Sequence, residues 1–176
     1  MVSVPMLLLG AIVGASALTD AEANLAMANR LGWTRVGPAP AHLNLTLRVA
    51  LAHSPETRAE ILRTLNDVSD PDSRHYGRYL TREELRAVAA PLPGAEETVL
   101  SWLRQEAGLV GRVAGSGDVV VVSAPSAVLE RLLGVELSSF QYPGMSRSIV
   151  RTVEEVRVAP SIRNFVDFLD GGAHVL

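Results

Sequence analysis

Three pairs of adjacent carboxylates, Glu83-Glu84, Glu96-Glu97 and Glu154-Glu155, and four histidines, His42, His53, His75 and His174, are the residue types here best suited to acid–base or metal chemistry. Their spacing supports neither. Sequence neighbours point to different sides of a helix or strand, so adjacent glutamates do not converge on one proton. They read as solvated faces, or as groups that meet arginines of another protein. The histidines form no i, i+4 pair and have no carboxylate at ligand spacing, so no metal site is expected. His75 reads as a surface histidine; a pH-sensing role is the alternative, because imidazole titrates in the mildly acid range. Cysteine is absent, which excludes disulfides, thiol catalysis and thiolate metal sites within the chain. Gly115-Ser116-Gly117 is no phosphate loop, since it lacks a lysine and a following helix. Asn44-Leu45-Thr46 is an N-glycosylation sequon, usable where the strand's polar face meets solvent. No residue is assigned a catalytic role.

The bulk properties narrow the class. A chain of 176 residues suits one domain with a proper core, and 48% hydrophobic with 20% charged residues argues against bulk disorder. All sixteen basic residues are arginine and the formal net charge is −3. That balance gives no basic excess for a phosphate backbone, so nucleic acid is excluded as the main partner. The guanidinium groups instead suit forked pairing with carboxylates. Residues 1–17 read as a signal peptide: Val4 to Val13 is a short apolar run, and Ala15-Ser16-Ala17 has the small-x-small form of a cleavage site. The run is far shorter than the ~18 apolar residues that span a bilayer, so no stable membrane anchor is expected. No basic residue precedes it, the first being Arg30.

Residues 18–41 read as leader and linker, with a short helical pattern from Asp20 to Leu31 and Gly37-Pro38-Ala39-Pro40 as a stiff connection. The compact domain, residues 42–170, opens with the clearest strand of the chain. There Leu43, Leu45, Leu47, Val49 and Leu51 alternate with polar or small residues. Ser54-Pro55 starts a helix with Ile61, Leu62, Leu65 and Val68 as its apolar stripe. Thr81 with Glu84 forms a capping box for a second helix, whose Leu85, Val88 and Ala89 face inward until Pro91 and Pro93. A third helix, Ala95 to Ala107, buries Val99, Trp102 and Leu103 and stops at Gly108. A hairpin, Leu109 to Val113 and Val119 to Val122, turns through residues 115–118. Pro125 to Leu133 is a fourth helix, and two extended pieces, Val135 to Tyr142 and Arg147 to Val153, flank Pro143-Gly144. The tail after Pro160 is short and mixed. The order strand, helices, strand, strand, helix, strand predicts an α+β fold of ferredoxin-like plan, an antiparallel sheet with helices packed on one face.

Between the first two helices of the domain lies Ser69-Asp70-Pro71-Asp72-Ser73-Arg74-His75-Tyr76-Gly77-Arg78-Tyr79-Leu80-Thr81. Asp70 precedes proline and leaves helical geometry, Ser69 and Asp70 suit side-chain bonds to nearby backbone N–H groups, and Gly77 suits a positive φ. Tyr76 and Tyr79 are expected to pack their rings on the helix pair. Two readings stand beside each other: a loop that is purely structural, and a loop that meets another domain.

This segment resembles the S-D-P-x-S-x-x-Y-G-x-Y-L-T signature of the propeptide (activation) domain of sedolisins, the serine-carboxyl peptidases, with the tripeptidyl-peptidase I branch as the nearest form. The likeness runs from about Gly32 to Val175. It includes Gly32-Trp33, Trp102-Leu103 with Gly108, Leu132-Leu133-Gly134-Val135-Glu136-Leu137, and Asn164-Phe165-Val166-Asp167-Phe168-Leu169-Asp170-Gly171-Gly172. The resemblance implies a propeptide that docks on a catalytic domain, assists its folding and silences it until acidification. It also implies a tail, Gly171, Gly172, Ala173, His174, Val175 and Leu176, that leads toward the processing boundary and lies in the cleft like substrate. The family's catalytic domain carries Glu, Asp and Ser with a calcium site. Nothing here matches its serine turn, so this chain is expected to be no enzyme and to hold no cofactor, and its parent to bind calcium. The partner is then a sedolisin-type catalytic domain, in cis or in trans, and the setting the secretory pathway: extracellular, vacuolar or lysosomal. The leading expectation is an autoinhibitory propeptide present without its catalytic domain, as a fragment or incomplete gene product. The alternatives are a stand-alone secreted inhibitor acting in trans and an unrelated ferredoxin-like binding module.

Overall fold

A computed structural model describes residues 20–171. Among them are five helices and seven strands, in two antiparallel sheets. The four-stranded sheet contains β2 (Asn44–Leu51), β3 (Arg112–Ala114), β4 (Val119–Pro125) and β7 (Val166–Gly171), in spatial order β3-β4-β2-β7. This is the strand arrangement of the ferredoxin-like plan, and the fold is α+β as expected.

The helix-side face is built by alternation. Leu47 faces Val122 and Val49 faces Val120 across the β2–β4 ladder, and all four are buried. Against them pack α4 (Ala95–Ala107), through Val99, Trp102 and Leu103, and α5 (Ser126–Leu133), through Leu129 and Leu133. Both helices end where predicted. Gly108 and Gly134 take left-handed φ values of 64° and 66°, and each donates its N–H back to the last turn.

Two expectations are corrected. The segment read as leader and linker, residues 18–41, contains β1 (Thr34–Pro38), which pairs with β5 (Ser138–Gln141) and takes in Gly37 and Pro38 of the expected stiff connection. Gly37 and Pro38 fit there because β1 is an edge strand and its register slips between Arg35 and Gly37, where an irregularity tolerates both residues. Structure therefore starts ahead of His42: α1 (Asp20–Arg30) is anchored by the Asn24 amide, which donates to the Val153 carbonyl at 2.9 Å. Trp33 meets Tyr142 edge to face with centroids 5.4 Å apart. The two extended pieces around Pro143-Gly144 do pair, as β5 and β6 (Ile149–Arg151), but they form the second sheet, β1-β5-β6, as an insertion. The fourth strand of the main sheet is β7, drawn from the tail read as mixed.

The helix pair before α4 also departs from expectation. α2 (Pro55–Ser69) starts as predicted: the Thr57 N–H donates to Ser54 Oγ, and Pro55 lies in the first turn. Yet no residue of α2 is buried, and Leu62 and Leu65 are exposed. α3 (Arg82–Val88) likewise has no buried residue; Leu85 is exposed, and Ala89, just beyond it, is buried. The stripe of α2 faces α3 rather than the sheet, because α4 already fills the sheet position. The pair forms an arm. Its base is held where the Ala52 N–H donates to Phe165 O and the Leu92 N–H donates to Ala52 O.

Candidate docking surfaces

Among the described residues no helix packs on the other face of the main sheet. The ladders place Thr46 opposite Ser123, Arg48 between Val121 and Asp170, and Ala50 between Val119 and Phe168, with Arg112 and Ala114 continuing the rows. Phe168 is 59% exposed, and Val110, beside the β3 edge, is 87% exposed. A shallow depression of about 750 Å³ lies over this face, lined by Thr46, Arg48, Val110, Arg112, Ala114, Val121 and Ser123 among others. Arg48 and Arg112 are exposed, and Arg48 Nη1 lies 3.8 Å from Asp170 Oδ2. Small and apolar residues with two forked cations at the margin suit association with a partner bearing carboxylates. Phe168 and Val110 were missed in the sequence reading. The signal for Phe168 was present, a large apolar residue flanked by Asp167 and Leu169 at strand period.

The signature loop sits at the free end of the α2–α3 arm. Ser69 is the last residue of α2 and Asp70 its C-cap, extended before Pro71 at φ −82°, ψ 117°. The Asp72 N–H donates to Asp70 Oδ1 at 2.9 Å, and the His75 N–H donates to Ser73 Oγ at 3.1 Å. Ser73, not Ser69, thus makes the second side-chain bond of the loop. Gly77 has φ 73°, and its N–H donates to Val68 O, closing the loop onto α2. Thr81 and Glu84 form the capping box, the Thr81 N–H donating to Glu84 Oε2 at 2.8 Å. The tyrosines are a correction. Tyr76 is exposed and Tyr79 is 77% exposed, so neither is packed away in the helix pair. Tyr79 and Leu80 instead border an apolar concavity of about 280 Å³ lined by Ile61, Thr64, Leu65, Val68, Leu85 and Val88.

The other candidates separate from these surfaces. Asn44 is exposed at the start of β2. His53 Nε2 lies 3.1 Å from Ala89 O, and His75 Nδ1 lies 3.5 Å from Asp67 Oδ2 on the exposed arm. Glu84 is held below the usual carboxylate value first by the Thr81 backbone N–H and then by its hydroxyl. Glu154 accepts from the Glu136 N–H at 3.3 Å. Among the described residues no group of three or more His, Cys, Asp or Glu is placed to hold a metal ion, and no helix is long and apolar enough to cross a membrane. Gly171 is the last residue of β7, paired with Leu47. Its φ is 116°, and a Cβ there would lie 2.0 Å from the Thr46 carbonyl oxygen. Gly171 is therefore seated on the sheet. The signal-peptide reading of residues 1–17 and the tail residues Gly172, Ala173, His174, Val175 and Leu176 lie outside the described residues.

Among the described residues, helices back one face of the main sheet and leave the other partly open. By comparison with known proteins, the chain belongs to the family "Pro-kumamolisin, activation domain", which matches residues 31–175. It is 32% identical to physarolisin of Physarum polycephalum over 85% of this chain and 25% of that protein. It is 31% identical to tripeptidyl-peptidase sed1 of Aspergillus fumigatus over 75% of this chain and 20% of that protein. To tripeptidyl-peptidase 1 of Canis lupus familiaris it is 27% identical, over 81% and 25%. The chain thus spans a quarter or less of these relatives. The resemblance to sedolisin propeptides is borne out: this is an activation domain of sedolisin-family peptidases.

Proposed function

We propose that this chain is the autoinhibitory and folding-assisting propeptide of a secreted, acid-active serine-carboxyl peptidase, itself without catalytic activity. The observation that carries the reading is the face of β3-β4-β2-β7 that no described helix covers, with Phe168 exposed at its β7 edge and Arg112 at its β3 edge. The size of the relatives supports the identity of the partner, since three quarters or more of each lies outside the matched region. In this reading the catalytic domain seats on the open face, in cis or in trans, and the face offers it a template as it folds. Gly171, seated against the Thr46 carbonyl, sets where the chain leaves the sheet, and residues 172–176 run on toward the cleft as a substrate-like plug. Calcium, where the parent needs it, belongs to the catalytic domain. The setting is the secretory route, ending extracellularly, in a vacuole or in a lysosome.

The test is binding of this chain to immobilised mature physarolisin and to mature tripeptidyl-peptidase sed1 near pH 7. Saturable binding is expected, with Kd raised at least tenfold by Phe168→Asp. Absence of binding to both peptidases overturns the reading.

A further inference from the structure

Beyond its base and the Arg58–Asp167 pair, the apolar side of the α2–α3 arm is left partly open among the described residues. Its stripe of Ile61, Leu65 and Val68 lines a concavity with Leu85 and Val88 and with the loop residues Tyr79 and Leu80, and Leu65 remains 55% exposed. A 15-residue helix with nothing buried is marginal in water, where most helical stability comes from packing an apolar face. The signature loop adds an aromatic at the mouth of the concavity, Tyr79, rather than closing it. Large amphipathic rings beside an apolar pocket make energetic anchors in protein interfaces, because they combine contact area with few rotatable bonds.

The position of the arm says what covers it. Arg58 Nη2, on the first turns of α2, donates to Asp167 Oδ1 at 2.7 Å. Asp167 lies on the edge strand β7, so the root of the arm adjoins that edge of the main sheet. A body seated on the open face and reaching past β7 meets the arm next. The matched relatives supply a body of that size, keeping at least three quarters of their length outside this region. The carboxylates of Asp70 and Glu84 are already engaged with backbone donors, whereas Arg78, Arg82 and Arg86 have no carboxylate partner among the described residues. These guanidiniums are available to acidic groups of the incoming surface.

We infer that the arm is a second clamp on the peptidase: an apolar, acid-flanked ridge of the catalytic domain inserts between α2 and α3 against Leu65, Leu85 and Tyr79. The inference rests on the propeptide reading above and adds to it a site separate from the sheet face. It gives the signature loop a role beyond shaping its own turn.

The experiment uses the whole chain with Tyr79→Ser, Leu65→Glu and Phe168→Asp in the same assay on mature physarolisin and mature sed1. Thermal unfolding and sedimentation are recorded for each variant. Tyr79→Ser removes a ring that is mostly in solvent, so it guards against a misfolded Leu65→Glu. The expected result is a Kd at least tenfold weaker for Tyr79→Ser with an unchanged melting temperature. Leu65→Glu is expected to weaken binding at least as much. If the wild type binds, Phe168→Asp is weakened and Tyr79→Ser matches the wild type, the clamp is wrong and the propeptide reading survives. If the wild type binds neither peptidase, that reading falls and the clamp with it. If the free chain is a dimer that Tyr79→Ser dissociates, with Kd for the peptidase unchanged, the concavity belongs to a second copy and the clamp is again overturned.

Discussion

At the scale of single residues, the local chemistry of this chain acts as its types dictate. Ser54 and Thr81 accept from backbone N–H groups at helix starts, and Gly108 and Gly134 end helices in left-handed geometry, because these effects need only a few neighbouring atoms. Glu84 gives one of them a measurable signature. Bonds from the Thr81 backbone N–H and hydroxyl lower its pKa from an ordinary 4.5. A depressed folded-state pKa means that the contribution is complete above the ordinary value. It is lost as pH falls through the lower folded value, so the α3 cap weakens only below about pH 4.5. In an NMR titration the Glu84 midpoint should lie below 4.5, and Thr81→Ala should move it upward. A midpoint indifferent to Thr81→Ala would show that the box does not hold in solution. Tyr79 was misjudged at this scale, since nothing local tells a ring that anchors a core from one offered to a partner.

At the scale of elements, period and punctuation identified α2, α4, α5 and β2 closely, while β1 and β7 were missed. Both are edge strands, where one side needs no partner and the usual composition relaxes. β1 keeps Gly37 and Pro38, and in β7 Asp167 and Asp170 bracket the adjacent Phe168 and Leu169, which breaks the strict period of two. β7 depends on one steric detail. With a Cβ 2.0 Å from the Thr46 carbonyl oxygen at φ 116°, Gly171→Ala must push the strand end off β2. We expect a loss of about 1–3 kcal/mol in urea unfolding, in the range of single strained-backbone substitutions. Hydrogen exchange should quicken at the β7 end before the β2–β4 ladder responds. Uniform loss of protection across the sheet would contradict a local role for Gly171.

At the scale of the whole molecule, the sheet divides the chain's tasks. Its helix side holds the core, through Leu47, Val49, Val120 and Val122, and its other side leaves Phe168 exposed, the surface proposed above for docking. On that open side Arg48 already meets Asp170 of this chain at 3.8 Å, whereas Arg112 has no carboxylate partner among the described residues and is open to an acid of a docking protein. Where the adjacent glutamates meet arginines of another protein, acid weakens those pairs by protonating the carboxylates. Protonation of acids that face Arg112 acts in the same direction. Ionised carboxylates have ordinary pKa values near 4, lowered further beside arginine, so the attraction is whole near neutrality and lost as they protonate. Affinity for mature physarolisin or sed1 should therefore hold from pH 7 to 5 and fall steeply below about pH 4. A Kd that stays flat down to about pH 3 would rule out charge pairing as the basis of release.

The sequence by itself determined the family, the α+β class, the cores of most helices and the inward face of β2. These follow from interactions within a turn of helix or along one strand, and from a loop motif whose residues stand together in the chain. Only the tertiary structure decided which strand completes the main sheet, that α4 rather than α2 covers it, and that Phe168, Tyr79 and Leu65 are left facing solvent. Each of those outcomes is a competition between distant segments for the same buried surface. Such competitions are settled by which segment packs best and not by the pattern of any one of them, so an apolar stripe announces that a face will be covered without saying by what.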